Sequence, residues 1–184
     1  MNRQSIWQRA LGSSFDGLPR ELRYFHALQG QHVLSGAAEV RASESAPARW
    51  LARCVGTPRR SGLRTFRFTL HAAANGETWD RDFQDHRMTS RLAVRQGQII
   101  ETMGPVRLTF DLRADASGLA VRLVAMRVIG LPWPRCMCPA VMAREQPGPI
   151  GNTPQLHFEI RARLPLLGEF IHYRGHLDLP MGAP

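Results

Sequence analysis

Apolar and polar residues alternate along most of the chain. Leu34, Gly36, Ala38 and Val40 share one face of an extended segment, because successive side chains of a strand point to opposite sides. Phe66, Phe68 and Leu70 repeat the pattern, with Arg67, Thr69 and His71 opposite. Asn75-Gly76 is a hairpin turn signal that leads into Glu77 to Phe83. Leu92 and Val94 alternate with Arg91, Ala93 and Arg95, and Gly97 marks a further turn. Val106, Leu108, Phe110 and Leu112 follow, then Ser117-Gly118 turns the chain into Leu119, Val121 and Leu123. Leu156, Phe158, Ile160, Ala162 and Leu164 alternate again, and Pro165 to Gly168 turns into Ile171, Tyr173, Leu177 and Leu179. The pattern predicts about eight antiparallel strands in regular succession, a meander that curls on itself.

Three segments depart from period two. Ser5 caps a turn carrying Ile6, Trp7, Ala10 and Leu11, with Gly12 as the break. Pro19 sits where a helix accepts proline, at its first position. Leu18, Leu22, Phe25 and Leu28 follow at helical spacing, and Gly30 is the expected stop. Together these make a helical N-terminal segment at about 5–29. A short helix at about 47–55 opens at Pro47, buries Trp50, Leu51, Cys54 and Val55, and ends at Gly56 and Pro58. Leu131 to Pro139 and Gln146 to Pro154, rich in Pro and Gly, read as loops.

The expected fold is α+β and mainly β, a single domain over 1–184. Strands at about 32–41 and 63–180 form a curved antiparallel meander sheet or half-barrel, packed in helix-grip fashion on an N-terminal helix. The amphipathic helix from Pro19 to Leu28 is the available cover for the sheet's apolar face. A cleft between such a sheet and helix suits an apolar ligand.

Composition adds limits. With 43% apolar and 21% charged residues, the 184-residue chain is globular and of one-domain size. The formal charge is +9, and all 24 basic side chains are Arg. They spread from Arg3 to Arg174 instead of clustering, so solvated faces are expected and nucleic acid is not the expected partner. The apolar stretch Gly118 to Trp133 is interrupted by Arg122 and Arg127, which excludes a membrane-spanning segment there. Met1 to Phe15 carries no apolar signal region, so a cytoplasmic protein with Cys54, Cys136 and Cys138 as reduced thiols is expected. Cys136 and Cys138 lack the second pair that a zinc site needs. His172 and His176 would lie about 13 Å apart along a strand, too far for one ion. No metal and no cofactor are expected.

Strict alternation puts Arg81 on the same face as Trp79 and Phe83, with Asp80 and Asp82 opposite. If that face turns inward, Arg81 is a buried cation that needs a partner. Glu101 is one candidate, and a ligand carboxylate or phosphate is the other. Trp79, Arg81, Phe83, Glu101 and Tyr173 are therefore the candidate ligand-binding residues. No Ser lies in a Gly-x-Ser-x-Gly elbow, and no catalytic residue is singled out.

A further set of landmarks runs from Phe15 to the last strand. They are Leu18-Pro19-Arg20-Glu21-Leu22 with His26, Gly76 to Phe83, Glu101 to Pro105, Gly130 to Pro134, His157-Phe158-Glu159, Leu164 to Leu167, and Tyr173-Arg174-Gly175. In these the chain resembles the bacterial domain-of-unknown-function 4166 family. The resemblance carries no catalytic residues with it. Members of that family occur alone and behind short-chain-dehydrogenase-like domains, which implies an auxiliary role beside an oxidoreductase. This chain itself has no G-x-G-x-x-G dinucleotide fingerprint.

The leading functional expectation is a binding module for a small apolar or amphipathic ligand, with Arg81 meeting its polar end. One alternative is an interaction domain for an oxidoreductase or an anionic membrane surface. Another is an enzyme of the cyclase, hydratase or isomerase kind, using Glu101 or a His in the same cavity.

Overall fold

The computed structural model describes residues 4–43, 45–46, 52, 57–58, 60–84, 86–148, 153–165 and 168–181. Among them the strands are β1 (Gly30–Ala42), β2 (Gly62–Ala73), β3 (Gly76–Asp82), β4 (Arg87–Arg95), β5 (Gln98–Met103) and β6 (Val106–Asp115). They continue as β7 (Gly118–Val128), β8 (Leu131–Pro132), β9 (Ala140–Pro147), β10 (Gln155–Leu164) and β11 (Gly168–Asp178). Consecutive strands pair antiparallel from β1 to β7, then β7 pairs with β9, β9 with β10 and β10 with β11. Strand β11 returns to pair with β1. The sheet is thus a closed ten-stranded up-and-down barrel. The two-residue β8 stands outside the closure, paired with the end of β7.

The expected curved antiparallel meander is present, and the expected half-barrel is completed to a full barrel by this closure, which pairs the first strand with the last. The expected eight strands become ten because β5 and β9 also belong to the wall. Both carry an inward carboxylate, Glu101 and Glu145, where the apolar alternation would otherwise continue. The loop read at Leu131 to Pro139 contains β8 and a 3-10 turn at Arg135–Met137. Gln146 and Pro147, read as loop, end β9. The short helix expected at about 47–55 lies outside the described residues except for Ala52, which is helical and buried.

The N-terminal segment folds as expected, with small shifts. Helix α1 (Ile6–Leu11) starts at Ser5, whose hydroxyl accepts from the Gln8 backbone N–H at 3.1 Å. The Gln8 side chain accepts from the Ser5 N–H at 2.8 Å, a reciprocal cap that satisfies two donors at the helix start. A 3-10 turn (Gly12–Gly17) leads to α2 (Arg20–Ala27), where Pro19 is the capping residue instead of the first helical one. Gly30, expected to stop the helix, begins β1 at a φ of 83°.

These helices plug one end of the barrel. Arg9 donates from Nη2 to the Ala74 carbonyl between β2 and β3 at 2.8 Å. The Tyr24 hydroxyl donates to the Pro180 carbonyl beyond β11 at 3.3 Å. Ile6, Trp7, Phe15, Leu18, Leu22 and Phe25 are buried in the same core as the inward faces of the strands. Phe25 sits 5.5 Å from Phe68 and 6.0 Å from Trp79, ring centre to ring centre. The opposite end of the barrel carries the β3–β4, β5–β6 and β10–β11 turns and the excursion that contains β8.

The β1–β11 seam that closes the barrel depends on two glycines. Gly36 faces Leu177 and Gly175 faces Ala38. A Cβ at Gly36 would stand 1.9 Å from the His176 carbonyl oxygen, and one at Gly175 would stand 2.1 Å from that of Ala37. Neither oxygen can retreat without breaking the ladder. Gly175→Val is expected to cost about 3 kcal/mol or more, read as a lower urea midpoint. Gly17→Ala, where an added Cβ meets nothing within 4 Å, is expected to stay within about 0.5 kcal/mol of wild type.

Candidate functional site

Among the described residues, the largely apolar barrel interior holds a set of buried polar groups. The set begins on β3, where Glu77, Trp79, Arg81 and Phe83 follow each other at every second position and are all buried. Glu77 Oε2 accepts from the indole N–H of Trp79 at 2.8 Å and from that of Trp7 at 3.1 Å. One carboxylate oxygen therefore ties α1 to the barrel wall. The Trp7 and Trp79 rings stack with centroids 5.7 Å apart.

Two positions along the strand, Arg81 meets the partner expected for it. Its Nη2 donates to Glu101 Oε1 at 3.0 Å across β4, and its Nη1 donates to Ser90 Oγ at 3.1 Å. The guanidinium carbon lies 5.0 Å from the centre of the Trp79 ring, a cation–π distance. Burial works against the charge of Arg81. The adjacent Glu101 carboxylate outweighs it and holds the guanidinium protonated, above its ordinary value.

A second pair joins α2 to the wall. His26 Nε2 lies 2.5 Å from Glu145 Oε2, with the imidazole fully buried. The His26 ring packs 4.2 Å from Trp7 and 5.0 Å from Phe25. Its Nδ1 is buried without a hydrogen-bond partner. A proton on Nε2 meets the Glu145 carboxylate in this contact.

Tyr173 on β11 completes the array. Its ring lies 5.6 Å from Phe83 and 6.1 Å from Phe158. Burial raises its phenol above the ordinary value, while the positive charge of Arg81 partly opposes the rise. Its hydroxyl makes no hydrogen bond among the described residues.

All five residues singled out in the sequence thus face one interior. The structure adds His26, Glu77, Ser90 and Glu145. Glu77 shares the parity of Trp79 and Arg81, and His26 falls one helical turn after Leu22, so both were legible as inward positions. Glu145 carried no signal, because no strand is predicted between the loops at Leu131 to Pro139 and Gln146 to Pro154. His172 and His176 point away from the array: His172 Nε2 pairs with Glu159 at 2.9 Å, and His176 lies 4.0 Å from Asp178. No group of three or more metal-binding side chains converges among the described residues.

The wall near the end of the barrel opposite the helices is less tightly covered. Met103, Met126, Val128 and Val141 face inward by register, yet are only half-buried. Two surface depressions lie elsewhere. One of about 600 Å³ runs along Gly30, Ala72, Gly76, Glu77 and Leu92, and one of about 430 Å³ lies beside Phe15, Arg20, Tyr24 and Met181.

The array sets two expectations. Glu77→Ala leaves two buried indole N–H groups without an acceptor, at about 1–3 kcal/mol each, measurable by urea unfolding. Burial raises the Glu77 carboxyl above its ordinary value of 4.5, against the two indole bonds that lower it. In the unfolded chain this carboxyl loses its proton first as pH rises. The folded state then holds the extra proton, so this contribution is full below the ordinary value and is lost as pH climbs through the raised one. Glu77→Gln is expected to lack that slope. A difference in unfolding free energy between wild type and Glu77→Gln that stays flat from acid to neutral pH would count against this placement.

Residues 18–177 match the family described as "Domain of unknown function (DUF4166)". No curated protein and no solved structure matches the chain. The matched span takes in every strand of the barrel, together with α2, Glu77, Arg81, Glu101, Glu145 and Tyr173. By that match the chain belongs to the DUF4166 family.

Proposed function

We propose that the protein is a binding module for a small amphipathic ligand, taken into the barrel from the end opposite the helices. The observation that carries the reading is the half-buried inward wall of Met103, Met126, Val128 and Val141 beside a buried polar array. Inward apolar side chains that keep solvent exposure mark space that the protein's own groups leave unfilled. The ligand's apolar part would lie against this wall.

The polar end of the ligand is uncharged in this reading. Arg81 is already neutralised by Glu101, and Glu77 and Glu145 add carboxylates to the same interior. A ligand anion beside this pair would face carboxylates, with the Arg81 charge already met by Glu101. The unpartnered Tyr173 hydroxyl supplies a donor and an acceptor for an alcohol or carbonyl. The catalytic alternative asks for an acid or base free to act. Glu101 is held by Arg81 and His26 by Glu145, which favours binding over turnover. The reading keeps the protein in the cytoplasm, with Cys136 and Cys138 as free thiols.

The test is mass spectrometry of the purified protein under native and then denaturing conditions. A co-purifying neutral small molecule is the expected result. Tyr173→Phe should reduce its occupancy roughly 5- to 10-fold, the worth of one buried hydrogen bond, while leaving the unfolding midpoint nearly unchanged. A clean apo spectrum, together with no binding of long-chain alcohols or ketones in solution, would overturn the reading. Arg81→Leu is expected to destabilise the fold by about 3–5 kcal/mol by leaving Glu101 buried and alone, so it reports on structure instead of binding.

A further inference from the structure

Among the described residues, the excursion between β7 and β9 gathers most of the exposed large apolar side chains. Ile129 and Leu131 are 80% and 71% exposed, Met137 is about half exposed, and Trp133 keeps 37% of its surface in solvent. The segment is not loose. The Ile129 N–H donates to the Pro105 carbonyl at 2.8 Å, the Trp133 N–H to the Met126 carbonyl at 2.9 Å, and the Trp133 indole to the Met137 carbonyl at 3.1 Å. The fold thus holds four large apolar side chains in water, at a cost that a free monomer has no reason to bear.

Beside the excursion runs a row of cations. In register across the outer face stand Arg91 on β4, Thr102 on β5, Arg107 on β6 and Arg127 on β7, and Arg127 is paired in turn with Pro132 of the excursion. Arg107 and Arg127 lie directly opposite each other. Like charges directly opposite on a sheet repel. None of the three arginines forms an ion pair among the described residues. Some outward arginines are paired, as Arg87 is with Asp80, Arg161 with Glu159 and Arg174 with Glu39; the row differs from the remaining exposed arginines in lying beside the apolar excursion.

An apolar tip containing a Trp, set beside unpaired guanidinium groups, is what an anionic bilayer surface accepts. Hydrocarbon takes the tip, the interface takes the indole, and headgroup anions neutralise the row. We propose that this face docks the protein on an anionic lipid surface. The proposal does not depend on what the barrel holds. The excursion and the half-buried inner wall do share one end of the barrel, because Val128 and Leu131 pair across the β7–β8 turn.

The experiment is co-sedimentation of the full chain with vesicles of phosphatidylcholine alone and of phosphatidylcholine mixed with phosphatidylglycerol. Binding to the mixed vesicles only, weakened by salt, is expected. Arg107→Gln with Arg127→Gln should lower the partition coefficient roughly 30-fold, at roughly 5-fold per arginine. Ile129→Ser with Leu131→Ser should abolish the blue shift of tryptophan emission on vesicle addition. All four side chains are exposed, and circular dichroism checks that each variant folds. If the serine variant does not fold, the glutamine variant decides. Absence of binding to both vesicles overturns the proposal. So does anionic-vesicle binding that neither variant weakens, which would be steering by the overall charge. Capture of an acidic protein by this face, without vesicle binding, overturns it in favour of a protein partner.

Discussion

A barrel of ten strands encloses more space than the side chains of its own wall can fill, and the rest of the structure follows from how that space is used. Eight strands suffice for a packed interior, whereas each added pair widens the bore. Here the surplus at one end is filled by α1 and α2, whose Trp7, Leu22 and Phe25 enter the core that the strands begin. A plug of this kind contacts the wall through apolar surface that does not fix its rotation. Two carboxylates supply the missing specificity: Glu77 holds the Trp7 indole and Glu145 holds the His26 imidazole. Each bond joins residues far apart in sequence, and each removes from water a carboxylate that is acceptable inside only while its partner is present.

The same logic explains what the sequence revealed and what it hid. Strands β6, β7, β10 and β11 and most of β2 were legible because their inward positions are apolar or aromatic, so period two stood out, and β3 was legible from the Asn75-Gly76 turn before it. Strands β5 and β9 were not, because Glu101 and Glu145 occupy positions where the pattern calls for an apolar residue. Their justification lies in Arg81 and His26, on other elements, and local pattern reading has no access to it. The candidate site was legible for a related reason. Arg81 between Trp79 and Phe83 is a local contradiction, and Glu101 emerged as its answer. Closure of the barrel was the remaining gap. An alternating pattern gives the faces of strands, but whether the first strand meets the last is a property of the whole circuit, set by Gly36 and Gly175 at the seam.

The division of the interior into two levels bears on function. Near the helices, the polar groups are consumed in holding the plug. Further along β3, Arg81 and Glu101 form a pair within the wall itself, which needs no helix to satisfy it. Beyond that pair Phe83 and Val106 are still buried, while Met103, Met126, Val128 and Val141 are half-buried. The rigid, aromatic half thus serves as a floor, and the polar pair and the Tyr173 hydroxyl stand at the boundary between packed core and open wall.

The seam between β1 and β11 also dictates an order of events during synthesis. The barrel closes by pairing the first strand with the last, and the plug bonds to Glu145 on β9 and to the Pro180 carbonyl after β11. The helices leave the ribosome first, yet their seat does not exist until nearly the whole chain has followed. Contacts of such sequence separation make folding slow. Until β11 arrives, β1 and β10 are open edges able to pair with other chains. Nascent copies of this protein therefore pass through an adhesive interval that ends only with the last strand. Its length is set by translation and not by the stability of the finished barrel.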